Sequence, residues 1–204
     1  MKKFALACEG STDKVVIKNI LRGYFSIQNP QKDIAELSPP EGGWRPLLTY
    51  LTRERFREDV ENHEYIILQI DTDVSIDFDI AHTDTLGNKL TTNQLIEKVV
   101  EKLISQMNSG QIDFYHDYAE KIIFAISVHS IECWLMVYHA EPINLLDCFN
   151  ELRKVKFPNM QVAKKVRNYE YISQPFLERE IIELVAQKNE SFKHFIQQLQ
   201  PISL

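Results

Sequence analysis

A chain of 204 residues is long enough to bury a core of its own as one domain with a small appendage. Hydrophobic residues at 44% and charged residues at 25%, with only 6 Gly and 8 Pro, exclude collagen-like and disordered chains. A net charge of −6 argues against coating nucleic acid by bulk electrostatics alone, and no apolar run approaches the roughly 20 residues that span a bilayer.

In chain order, Lys3 to Cys8 reads as a short buried strand. Lys2 and Lys3 precede an apolar stretch that stops at Glu9, too early for a secretory signal, so the expected location is the cytoplasm. A helix follows, capped by Ser11 or Thr12, with Val16, Ile17, Ile20, Leu21, Tyr24 and Phe25 on its buried face. Asp33 to Leu37 suits a second strand, Pro39 to Gly43 a turn-rich break, and Trp44 to about Val60 a helix. Tyr65 to Ile70 is continuous and apolar, as parallel strands covered on both faces tend to be. Asn93 to Met107 is the cleanest amphipathic helix, Lys121 to Val128 a further strand, and Ile131 to His139 a helix. From Leu145 onward the pattern is helical with a basic interruption, including helices over Phe176 to Gln187 and Ser191 to Leu199. Strands alternating with helices predict a mainly parallel α/β sheet.

Charge is unevenly distributed. Between Glu58 and Thr85 there are nine acids and no Lys or Arg, whereas Arg153 to Arg167 holds six basic residues and no acid. The first region could hold cations and the second phosphates. Cys8, Cys133 and Cys148 lack C-x-x-C spacing and read as free, mostly buried thiols. The six histidines lack ligand spacing, which makes zinc an unsuitable metal. Trp44 and Trp134 read as core residues, and His129 as a hydrogen-bonded residue at a strand end.

Functional groups of open parallel sheets gather beyond the carboxyl ends of the strands. That rule selects Glu9 after the first strand, Asp71 and Asp73 after the Tyr65 strand, and Glu132 beyond the strand ending near Val128. Asp13 falls in the first turn of the helix after Glu9. Five carboxylates on one rim repel one another unless neutralised, and a hard divalent cation such as Mg²⁺ or Mn²⁺ matches their oxygen donors. Each has an ordinary reading beside this one. Glu9 to Asp13 could simply start a helix, Glu132 could favour a helix dipole, and Asp77 and Asp79 read as solvated loop acids.

The run Cys8-Glu9-Gly10-Ser11-Thr12-Asp13 after a strand, with Asp71-Thr72-Asp73 after another, resembles the Toprim domain of topoisomerases, DnaG-type primases and OLD-family nucleases. The resemblance covers roughly the first two thirds of the chain. It implies that Glu9 and the Asp71, Asp73 pair hold Mg²⁺ and that Asp13 belongs to the site. Ser130-Ile131-Glu132 is similar to a later element of OLD-type nucleases that helps hold a second metal. The segment Glu132-Cys133-Trp134-Leu135 resembles small Toprim-like proteins of phage-defence loci that work beside an ABC-type or AAA ATPase. The lysine that OLD-type sites place near their metals would be Lys164 or Lys165.

The expected organisation is a Toprim-like catalytic domain over residues 1–142 and a helical extension over 143–204 packed on it. The expected activity is Mg²⁺-dependent cleavage of nucleic-acid phosphodiesters, with DNA as substrate, in antiphage defence with an ATPase partner. Homo-oligomerisation is left open. The alternative is a catalytically silent Toprim-like sensor that binds an ATPase or nucleic acid. No P-loop is present, and neither a topoisomerase's tyrosine-bearing domain nor a primase's zinc module is evident.

Overall fold

The computed structural model describes residues 2–37, 42–109, 111–140, 147–157 and 160–203. Its strands are β1 (Phe4–Cys8), β2 (Ile34–Glu36), β3 (Tyr65–Asp71) and β4 (Ile122–Ser127). They form one sheet in the order β2-β1-β3-β4, parallel throughout. Among the described residues the helices are α1 (Ser11–Tyr24), α2 (Pro30–Asp33), α3 (Trp44–Leu51), α4 (Glu54–Asn62), α5 (Thr92–Asn108), α6 (Phe114–Tyr118), α7 (Ile131–His139), α8 (Cys148–Lys154), α9 (Val166–Ile172), α10 (Arg179–Lys188) and α11 (Glu190–Leu199). None is long and apolar enough to cross a membrane.

Side chains alternate across a strand, and here both faces are covered. Phe4, Leu6, Cys8, Ile67, Ile123 and Ala125 face a core completed by α1, α7, α10 and α11. Ala5, Ala7, Ile66, Leu68, Ile70, Phe124 and Ile126 face the opposite core, built with α3, α4 and α5. Two-sided burial explains why β3 and β4 read as continuous apolar runs. Gln69 is the exception, a fully buried amide inside β3.

The chain places β2 on one side of β1 and β3 with β4 on the other. The order therefore reverses between β1 and β3, which opens a crevice at their carboxyl ends. β4 would otherwise expose unpaired backbone at the sheet edge. Gln198 of α11 covers it, donating to the Phe124 carbonyl at 2.8 Å and accepting from the Phe124 N–H at 2.9 Å. The helices after residue 147 thus share the core of the sheet. The boundary between residues 142 and 143 lies outside the described residues, as does most of the expected break at Pro39 to Gly43.

Several expectations require correction. The helix expected over Trp44 to Val60 is two helices, α3 and α4. Thr52 Oγ1 donates to the Thr49 carbonyl at 2.8 Å, a local bond that competes with continuing the helical ladder. The break lets the Tyr50 hydroxyl reach Asp59 Oδ2 at 2.7 Å. The helix expected from Phe176 begins instead as a 3₁₀ turn over Gln174–Leu177, with Pro175 in its first turn, and the α-helix starts at Arg179. The N-cap of α1 is Gly10, without a side-chain cap, so neither Ser11 nor Thr12 fills that role. Cys133 and Cys148 are not free thiols but a disulfide joining α7 to α8, their Cα atoms 5.1 Å apart and within bonding reach. Cys8 remains a buried thiol.

Candidate metal centre

Each expected acid emerges from the carboxyl edge of the sheet. Glu9 directly follows β1, and its N–H donates to the Gln69 carbonyl at 3.1 Å and to Gln69 Oε1 at 3.2 Å. The Asp71 N–H donates to Glu9 Oε2 at 3.1 Å, and Gln69 Nε2 donates to Asp71 Oδ1 at 2.9 Å. Gln69 therefore holds both acids of the crevice through one amide. Gln69 was not singled out from the sequence; the signal that could have found it is an amide inside an otherwise apolar strand, which must find partners once buried.

Asp13, in the first turn of α1, lies back against Gly10. A Cβ at Gly10 would sit 2.7 Å from Asp13 Oδ2, so glycine permits the carboxylate to lie against the main chain. Glu132, in the first turn of α7, is 1% exposed. Its Oε1 accepts from the Tyr169 hydroxyl and lies 3.6 Å from Lys164 Nζ. Its Oε2 is buried with no hydrogen-bond partner. A buried carboxylate oxygen left unpaired is costly, and one way to satisfy it is a bound ligand.

Asp73 is the exposed member of the rim. Its turn is locked by backbone bonds. Asp73 N–H donates to the His129 carbonyl at 2.8 Å, and His129 N–H donates to Thr72 Oγ1 at 2.8 Å. His129 takes a left-handed conformation with φ 66° to do so. On the other side His82 Nε2 lies 2.8 Å from the Thr72 carbonyl, which makes it the protonated nitrogen. His129 thus acts through its backbone, while its ring, half-buried, lies 5.9 Å from that of His82.

Of the two candidate lysines, Lys164 reaches the acids and Lys165 does not. The Lys164 ammonium sits over the Phe149 ring at 5.2 Å as well as beside Glu132. Burial draws this ammonium down, but the charges of Glu132, Asp71, Asp13 and Asp73 outweigh burial and raise its pKa. Lys165 lines a separate groove. Asp77, inside a 3₁₀ turn over Ser75–Phe78, and Asp79, which ends that turn, are both exposed, and Asp79 pairs with Lys102 at 3.3 Å.

Tyr169, also fully buried, is a site residue that sequence reasoning missed. No local pattern marks it, because its partner lies 37 residues away. Trp134 is core: it is fully buried, donates to Ser191 Oγ at 2.9 Å and stacks on Phe195.

Desolvation dominates the electrostatics. Burial, with the charges of Asp13 and Asp73 adding to it, raises Glu9 from 4.5 to about 7 against the opposing Asp71 N–H. Burial and the charge of Glu132 raise Asp13 from 3.8 to about 6. Asp71 is pushed up by burial and then by Asp13, Glu132, Glu9 and Asp73. Asp73 is raised by the same kind of desolvation, with Lys164 opposing. A cation or protons would relieve this strain. In the observed arrangement the carboxylates bond to protein donors, and no three His, Cys, Asp or Glu side chains among the described residues are grouped to hold one ion.

The pKa shifts set a sign for stability. A carboxylate raised on folding binds more protons folded than unfolded between its two pKa values, so stability falls as pH rises through that window. For Glu9 the window runs from 4.5 to about 7 and for Asp13 from 3.8 to about 6. In EDTA, Glu9→Gln should therefore gain melting temperature over the wild type by a few degrees as pH is raised across the window. A gap between the two proteins that stays constant with pH would contradict the raised pKa that burial, aided by Asp13 and Asp73, gives Glu9.

Compared with protein-family models, with curated proteins and with solved structures, the chain matches none.

Proposed function

We propose that this chain is a divalent-metal-dependent nuclease acting on nucleic-acid phosphodiesters, DNA being the first substrate to test, in a Toprim-type site. The observation that carries the reading is the concentration of raised carboxylates at the β1/β3 crevice together with the unpaired Oε2 of Glu132. The five acids offer oxygen donors, which suits Mg²⁺ or Mn²⁺. Binding would have to draw Glu9, Asp71 and Asp73 together around one ion, since they are not grouped for it beforehand, and Asp13 with Glu132 would serve a second. Such ions supply an activated water for in-line attack and neutralise charge on the leaving oxygen.

The chain's own residues orient and restrain. Gln69 fixes Asp71 and Glu9 relative to each other. Tyr169 fixes Glu132 Oε1, leaving Oε2 as the donor. Lys164, partly exposed at the cluster's edge, can meet a substrate phosphate that the acids alone would repel. The ATPase partner and the antiphage setting are part of the proposal and rest on the sequence resemblance.

The test is incubation of the purified chain with plasmid, single-stranded DNA and RNA in Mg²⁺, Mn²⁺ or EDTA. Cleavage in Mg²⁺ or Mn²⁺ that EDTA abolishes is expected. Among the described residues no three-residue ligand group is ready-made, which favours one second reading, a Toprim-like subunit that binds without cutting. Inactivity that persists with a co-expressed genomic-neighbour ATPase would select it.

A further inference from the structure

We infer that the groove beside α9 is the seat of an unpaired nucleic-acid strand, with a base stacked on Tyr171 and the backbone held by Lys165 and Arg167. This deepens the nuclease reading and rests on it, since it names the form of substrate that the same site would take.

The groove has a volume of about 540 Å³ and is lined by Met160, Lys165, Arg167, Asn168 and Tyr171 among others. That volume lies within the range of about 300–1,000 Å³ typical of ligand pockets. Its chemistry is a cationic wall with an aromatic platform. Tyr171 is 44% exposed, with the Phe157 ring edge-on at 6.4 Å, and Arg167 lies four residues before it on the same helix face. The Asn168 side chain is fixed rather than available, accepting from the Ala163 N–H at 2.9 Å, and so holds the incoming segment against α9. Adjacent lysines divide the labour. Lys164 turns to Glu132, while Lys165, extended at φ −129° and ψ 136°, lines the groove. One short extended segment therefore serves both the carboxylate rim, through Lys164, and the groove, through Lys165.

Charge and aromatic surface together discriminate between substrates. A duplex hides its base faces, so an exposed ring next to cations offers it only the phosphate term. An unpaired strand can use both the cations and the ring, and stacking tolerates any base. Glu170 lines a different groove with Arg22 and Gln174, and among the described residues the ion pairs of the structure do not include Lys165 or Arg167.

Binding is measured with Ca²⁺ in place of Mg²⁺, using fluorescent oligonucleotides of about ten nucleotides, unpaired DNA, unpaired RNA and a duplex of the same sequence. Tyr171→Ala should weaken binding of the unpaired strands roughly ten-fold, and Tyr171→Phe should restore it. Quenching of a 2-aminopurine base on binding should vanish in the alanine variant. Arg167→Ala should flatten the salt slope by about 0.7 for a single strand. The two unpaired arms identify whether DNA or RNA is preferred. Wild-type binding that favours the duplex, or that Tyr171→Ala leaves unchanged at unaltered melting temperature, overturns the inference. Loss of cleavage in Mg²⁺ with Tyr171-dependent binding intact would instead remove the nuclease reading and leave the groove standing.

Discussion

Asp71→Asn should lose at least about 100-fold in cleavage rate while becoming more stable in EDTA. Replacing a group that only orients a metal ligand typically costs about 10–100-fold, and Asp71 is proposed as a ligand itself. Stability moves the other way because Asp71 is buried among Asp13, Glu132, Glu9 and Asp73, whose charges all oppose its ionisation. Asparagine is nearly isosteric, and its amide oxygen can still accept from Gln69 Nε2. Mn²⁺ or Mg²⁺ should stabilise the wild type by mass action, by about 2.7 kcal/mol at one hundred times the dissociation constant, and so raise its melting temperature, and the variant should lose most of that gain. Asp77→Asn and Asp79→Asn, at exposed loop positions, should stay within about two-fold of the wild-type rate. The opposite signs are the diagnostic. A variant that loses both rate and stability is misfolded, and one that keeps full rate places the metal elsewhere.

Gly23→Ala should destabilise the fold by about 2 kcal/mol or more, against the usual rule for helices. In an ordinary helix interior the change gains roughly 0.5–1 kcal/mol. At Gly23 a Cβ would lie 2.1 Å from the Phe176 carbonyl oxygen and 2.7 Å and 2.9 Å from Leu177 main-chain atoms. Backbone cannot rotate aside as a side chain would, so the 3₁₀ turn over Gln174–Leu177 must move, and overpacking of this kind costs about 1–3 kcal/mol before backbone displacement is counted. The melting temperature should fall by about 4–8 °C. That turn directly follows α9, which carries Tyr169, so the proposed activity should fall with it. An unchanged melting temperature would show that α1 and this turn separate easily.

The two changes touch different kinds of information. Asp71 was identifiable from its place after a nearly apolar run, because a strand covered on both faces is largely apolar and the first charged residue marks its end, Gln69 being the one polar residue inside it. The same logic located β1, β4 and α7 within a residue or two. It was blind to Gly23, since nothing in α1 tells which turn of chain will press against it. It also failed at Thr52, where a side-chain bond to Thr49 ends a helix whose hydrophobic periodicity continues.

The sequence by itself determined the parallel α/β layering, the strand-end positions of Glu9, Asp71 and Asp73, and the places of Asp13 and Glu132 in the first turns of the helices that follow, because burial periodicity and element termini are local properties. Only the tertiary structure decided that β1 and β3 flank the crevice, that Gln69 bonds to both Glu9 and Asp71, that Lys164 rather than Lys165 meets Glu132, and that Cys133 pairs with Cys148. The physical reason is separation along the chain. Tyr169 meets Glu132 across 37 residues, Glu9 meets Gln69 across 60, and Asn19 meets Ser173 across 154. Such contacts form only after the core has paid the entropy of closing those loops, and no local pattern records which side chains the closure will bring together.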